Sequence, residues 1–301
     1  MSGSTAYITT KGVVPDWPAY LLLLALPAST TLCANVVPPW GFMWALSFSI
    51  FAGLKWMTWW KARQSFPSNA ARSMAYLLAW PGMDATAFLD PGLRVARPNL
   101  RQWLAPVAKT SLGFLLLGVL ARRVPADLPL LRGWIGLVGL ILVLHFGSFH
   151  LIALCWQSLG INAQPIMSKP LLSKNLSEFW GKRWNLGFRQ LAHEFIFLPL
   201  HRRRGVAAAG FLVFVLSGVI HDLVISLPAR AGYGLPTAYF VIQGLGVAAE
   251  RSAMGSRLGL QAGLMARIFT FVLTAGPAFW LFHPPFVMRV ILPFMKAVHS
   301  L

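Results

Sequence analysis

Apolar runs long enough to cross a bilayer recur along this chain, and no water-soluble domain could bury them all. A spanning helix needs about 20 mainly apolar residues. Runs of that kind occupy about residues 18–37, 40–60, 106–124, 130–159, 206–227, 233–249 and 260–282, and a shorter one covers about 286–298 after Pro284 and Pro285. Hydrophobic residues make up 56% of the 301 positions and charged ones only 11%, far from the balance of an ordinary soluble domain. The expected fold class is therefore all-α: a multi-pass membrane protein of about seven to eight transmembrane helices, with amphipathic and re-entrant segments between them. The first two runs are expected to form a hairpin. Lys11 is the only basic residue before them, and with no convincing cleavage site the first run reads as a retained helix, not a signal peptide.

Lys and Arg total 26 against 8 acids, a formal charge of +18. In a soluble protein that imbalance would point to nucleic acid. Here the basic residues lie in short segments between apolar runs, as the positive-inside bias produces, so no nucleic-acid partner is expected. Anionic lipid headgroups or a phosphate-bearing substrate fit better. Cys33 and Cys155 both fall in apolar segments without metal-ligand spacing, and are expected to pack as small hydrophobes. No metal site is expected.

Residues 61–109 are basic and interrupted by Pro67, Pro81, Pro91, Pro98 and Pro106, which reads as a loop carrying short surface helices. Lys55, Trp56, Trp59, Trp60 and Lys61 look like the interfacial end of the second run. Asp84 and Asp90 are expected to be turn residues. His145 and His150, five residues apart, point about 140° apart around a helix and cannot jointly face one metal ion.

The central stretch, residues 176–227, holds the chemistry. Its first part reads LSEFWGKRWNLGFRQLAHEFIFLPL. On a helical wheel Trp180, Trp184, Phe188, Leu191, Phe195 and Leu198 share one face, and Glu178, Lys182, Asn185, Arg189 and His193 the other. Glu178 and Lys182 are spaced as a supporting pair. Such a helix can lie in the headgroup plane, or its polar face can line a water-filled cavity. A basic turn, HRRRG, follows, and then VAAAGFLVFVLSGVIHDLVISL with His221 and Asp222 inside it. If the two helices pack as a hairpin about residues 201–205, Asn185 and His221 stand level, each about 22 Å from the turn.

An ionisable pair inside a span is expensive, which makes it a functional-site hypothesis. A neutral imidazole can take a proton from a hydroxyl near neutral pH, and Ser217, four residues earlier on the same face, could orient it. His221 can equally be a satisfied packing residue. Asp222 lies about 100° away and reads as structural.

The run SEFWGKRWN, Ser177 to Asn185, followed 36 residues later by the histidine of SGVIHDL, resembles the membrane-bound O-acyltransferase (MBOAT) superfamily, and specifically its wax-synthase-like branch. AWPGMDA, Ala79 to Ala85, and GYGLPTAYFVIQG, Gly232 to Gly244, also resemble that branch, so the likeness runs from about Trp80 to Trp280. It implies one membrane-embedded domain over residues 1–301, with a catalytic core at about 170–280, that moves an acyl group from acyl-CoA to the hydroxyl of a lipophilic alcohol. His221 would be the catalytic histidine and Asn185 its polar partner. No cofactor is implied beyond acyl-CoA as co-substrate. An integral membrane location follows: the cytoplasmic membrane in a bacterium, the endoplasmic reticulum in a eukaryote.

A thioester is already activated, so such a site needs a base for the alcohol and a donor for the oxyanion. No Ser or Cys has a nucleophile motif, which favours direct attack in a ternary complex. Lys182, Arg183, Arg202, Arg203 and Arg204 could receive the CoA phosphates or could simply follow topology bias, and Arg189 is a further candidate for binding substrate. Trp180 and Trp184 could line the acyl tunnel or pack in the core. The rival reading is a transporter or channel with His221 relaying protons, for which more intramembrane acids or an internal repeat would be expected.

Overall fold

The structure is a computed structural model describing residues 17–66 and 69–301, so Lys11 and Pro67 lie outside the described residues. The described residues form helices and no strands. Four of those helices are long and apolar enough to cross a membrane: Leu100–Arg123, Pro129–Ser158, Leu186–Ala229 and Gly263–Leu281.

Helix α1 (Trp17–Thr31) and helix α2 (Pro39–Ala62) form the expected hairpin. The Trp56 indole at the end of α2 donates to the Pro18 carbonyl at the start of α1 at 3.0 Å. Their backbones touch at Gly53, where a Cβ would lie 2.5 Å from Leu23 Cα, the close approach that small residues permit between membrane helices. Lys55 is not interfacial as expected. It is 1% exposed, its amino group donates to the Gly82 carbonyl at 2.7 Å, and it stands 3.1 Å from the centre of the Tyr76 ring. Those contacts partner the polar group that water would otherwise hydrate.

The loop region carries two short helices, α3 (Ala70–Ala79) and α4 (Ala85–Leu89), capped by the side chains of Asn69 and Asp84. Asp90 accepts from Gly92 N at 2.7 Å, so both acids are turn residues, as expected. Helix α5 (Leu100–Arg123) starts six residues earlier than its apolar run, because Asn99 and Gln102 form a reciprocal capping box and Pro106 is absorbed early in the helix. Helix α6 (Pro129–Ser158) crosses it where Gly113 and Gly139 meet, each within 2.8 Å of the other's carbonyl were a Cβ present. Cys33 and Cys155 are exposed free thiols, not packed ones, since each points off the outer face of its segment.

The remainder comprises α7 (residues 176–183), α8 (Leu186–Ala229), α9 (Leu235–Arg251), α10 (Ala253–Arg257), α11 (Gly263–Leu281) and α12 (residues 284–297). A buried core of Leu117, Leu137, Ile225, Phe286, Val290 and Met295 ties α5, α6, α8 and α12 together.

Candidate functional site

The amphipathic stretch is not one helix. Residues 176–183 end in a π-helical turn, Phe179–Arg183; Trp184 is extended, Asn185 sits in the left-handed region at φ 40°, and a new helix begins at Leu186. Asparagine tolerates that conformation and caps helices, and its Oδ1 accepts from Phe188 N at 3.2 Å. The break is held from both sides, with Leu186 N donating to the Ile166 carbonyl and Ser168 N to the Arg183 carbonyl, each at 2.8 Å. The uniform wheel therefore fails beyond Arg183. Gly205, at φ 80° and ψ 164°, interrupts the helical path inside the basic segment.

The π turn also changes the expected ion pair. Glu178 does not meet Lys182. It meets Arg183 at 2.7 Å, because a π-helix brings residue i+5 over residue i. The Lys174 N–H, then Arg183, hold the Glu178 carboxyl below the usual carboxylate range. Arg183 also reaches the carbonyls of Ser168 and Lys169, so its guanidinium is engaged within the protein.

His221 sits where α8 passes into a π-helical turn, Asp222–Ser226, a local widening often found at functional sites. Its Nδ1 lies 2.7 Å from the Ser217 carbonyl oxygen. A carbonyl only accepts, so Nδ1 carries the proton and Nε2 of the neutral ring carries the lone pair. Ser217 thus orients His221 through its main chain, not through the hydroxyl. The neighbouring Ser217, Gly218, Ile225 and Ser226 are buried, whereas His221 keeps part of its surface open.

An aromatic cluster connects the two candidate catalytic segments. The His221 ring lies 4.5 Å from that of Phe240, Phe240 lies 5.6 Å from Trp180, and Trp180 lies 6.3 Å from Trp184. Phe179 and Phe146 complete the wall against Trp184. The Trp180 indole is fixed by Gln243, which is fully buried and bonded in turn to the Leu273 carbonyl. Asn185 directly follows Trp184, and its Oδ1 is spent on the cap while no hydrogen bond engages its Nδ2 among the described residues.

Beside this cluster lies an open polar cavity of about 490 Å³ whose lining includes Lys174, Glu178, Lys182, Arg189 and Arg251. Arg189 and Lys182 are thus brought together with two cations that sequence reading missed. Arg202, Arg203 and Arg204 are exposed and do not line it. Also missed was Glu250, which is 2% exposed and accepts from Leu176 N at 2.6 Å and from Ser177 N, anchoring the start of α7 from across the site. Its place at the end of an apolar run next to Arg251 was the signal. No group of three His, Cys, Asp or Glu side chains among the described residues is arranged to hold a metal ion.

Residues 163–242 match the membrane bound O-acyl transferase family. The chain is 25% identical over 167 residues to probable long-chain-alcohol O-fatty-acyltransferase 3 of Arabidopsis thaliana, covering 48% of this chain and 49% of that protein. It is 29% identical to the long-chain-alcohol O-fatty-acyltransferase of Simmondsia chinensis over 43% and 40% of the two chains. Acyl-CoA--sterol O-acyltransferase 1 of Arabidopsis thaliana is 28% identical over 42% and 39%. The matches thus span less than half the length of these curated relatives. The matched residues contain the capped Asn185 turn, the rings of Trp180, Trp184 and Phe240, and the oriented His221, and over them the chain is similar to the membrane bound O-acyl transferase family and to its long-chain-alcohol acyltransferases.

Proposed function

We propose that this protein is a membrane-bound O-acyltransferase that moves an acyl group from acyl-CoA to the hydroxyl of a long-chain or otherwise lipophilic alcohol, as one membrane-embedded domain with its catalytic core at about residues 170–280. The observation that carries the reading is the His221 ring, whose Nδ1–H is committed to the Ser217 carbonyl so that Nε2 is presented as a base. His221 Nε2 takes the acceptor's hydroxyl proton as the oxygen attacks the thioester carbon. The Asn185 Nδ2–H groups donate to the oxyanion that forms. Collapse breaks the C–S bond, and the imidazolium returns its proton to the departing thiolate, leaving an ester and free CoA. Trp180, Trp184 and Phe240 give the acyl chain an apolar wall. Lys174, Lys182, Arg189 and Arg251 suit the CoA phosphates, and the spare positive charge of the cavity supports that assignment.

The sterol acyltransferase among the relatives favours a sterol as the second acceptor class. Purified protein given radiolabelled acyl-CoA with a panel of fatty alcohols and sterols should release CoA and form the ester only with a hydroxyl acceptor present. His221→Ala should abolish that release, and acidification should slow the wild type as Nε2 becomes protonated. Unchanged ester formation by His221→Ala would overturn the assignment of the base.

A further inference from the structure

A second histidine, His283, stands at the start of α12 and has no part in the chemistry above. It is fully buried. Its Nδ1 accepts from Phe286 N at 3.2 Å, so the lone pair of the neutral ring is at Nδ1 and the proton at Nε2. Nε2 lies 3.3 Å from Ser226 Oγ, to which it donates. Ser226, 0% exposed, in turn donates to Asp222 Oδ1 at 2.8 Å, with the Gly232 carbonyl 3.2 Å from the same hydroxyl. The ring is clamped from its other side by Gly232, at φ 72°, where a Cβ would fall 2.5 Å from His283 Nε2 and Cδ2.

Asp222 is where this chain of bonds reaches the site. Its Oδ1 also accepts from Gly234 N at 2.9 Å, and its Oδ2 accepts from Thr237 N at 3.1 Å and from the Thr237 hydroxyl. A carboxylate on α8 therefore caps the first turn of α9, whose own N-cap position is a glycine with no side chain to offer. Three residues beyond Thr237 comes Phe240, 4% exposed, the ring against which His221 rests at 4.5 Å. The carboxylate that follows His221 in sequence thus fixes both the π turn beneath the imidazole and the aromatic surface beside it.

We propose that His283, acting through Ser226 and Asp222, is a positioning residue for the His221 imidazole. The unbroken run of bonds from Phe286 N through His283, Ser226 and Asp222 to Thr237, on the helix that carries Phe240, is the observation behind it. The inference rests on the reading of His221 as the base. A misplacement of about 1 Å at a reacting group can cost about 100-fold in rate without altering binding.

Two substitutions separate positioning from mere structure. His283→Asn keeps an acceptor for Phe286 N, and so keeps the start of α12, but is too short to reach Ser226. Ser226→Ala removes the link itself. Each, purified with the melting temperature of the wild type, is expected to lower kcat for ester formation by about 10- to 100-fold with KM for both substrates within about twofold. The double variant is expected to lose no more than the worse single one, because both act through one contact. Unchanged kcat per folded enzyme, or losses that multiply in the double variant, would overturn the inference. His221→Ala, run alongside, distinguishes the two levels: if that variant stays active, it is the assignment of the base that fails.

Discussion

Asn185 has a structural duty that a standard alanine substitution would confuse with the chemical one proposed for it. Its Oδ1 caps the helix beginning at Leu186, and its backbone holds a left-handed φ of 40° that alanine adopts less readily than asparagine or aspartate. Asn185→Asp keeps the cap and tolerates the backbone but removes both amide protons. It is expected to lower kcat by about 10² to 10³ while the protein keeps its melting temperature, the cost of losing one oxyanion donor. A variant that melts normally and turns over normally would leave Asn185 a cap and nothing more. Lys55 poses the opposite case, a buried amine with no place in the chemistry. Lys55→Ala is expected to destabilise the protein by about 2–4 kcal/mol through the lost stem and the unpaired Gly82 carbonyl, read as a lower melting temperature with kcat per folded enzyme unchanged. His221 and Asn185 could be singled out in the sequence because polar residues are conspicuous in apolar surroundings. Arg251, Gln243 and His283 could not be read in the same way. Their roles depend on partners 30 to 74 residues distant, which helical periodicity does not encode.

Elements were legible in the sequence wherever apolarity alone defines them. The span beginning at Pro129 and the helices α2 and α9 follow their apolar runs closely, whereas α1 stops at Thr31, six residues before its run ends. The wheel drawn over residues 176–200 was not a safe guide, since it assumes 100° per residue and the π turn at Phe179–Arg183 and the break at Trp184–Asn185 abandon that period. The same widening explains why Glu178 takes Arg183 as its partner and leaves Lys182 free to face the cavity. The hairpin's geometry gives an element-level test. Gly53→Val would drive a side chain into the Leu23 backbone, and is expected to cost about 1–3 kcal/mol by overpacking. Gly118→Val, with nothing within 4 Å, is expected to leave the melting temperature close to that of the wild type.

For the whole molecule, the excess of 26 basic over 8 acidic residues marks a membrane protein's topology, and only a few of those cations meet at the cavity beside α7. If that cavity receives the CoA phosphates, Lys182→Glu with Arg251→Glu is expected to raise KM for acyl-CoA at least tenfold while KM for the alcohol stays put; Arg202→Glu with Arg203→Glu, outside the cavity, serves as the comparison and is expected to shift neither. On the proposed reading the cations of the cavity would attract the donor, Trp180, Trp184 and Phe240 would receive its chain, and His221, against Phe240, would act as the base. The claim on which this arrangement depends is that His221 removes the acceptor's proton. A long-chain thiol ionises far more readily than the matching alcohol and has less need of a base, so the two acceptors measured side by side test it most directly. His221→Ala is expected to lose alcohol acylation by about 10² to 10⁴ while losing much less with the thiol. Equal losses with both acceptors would contradict the account.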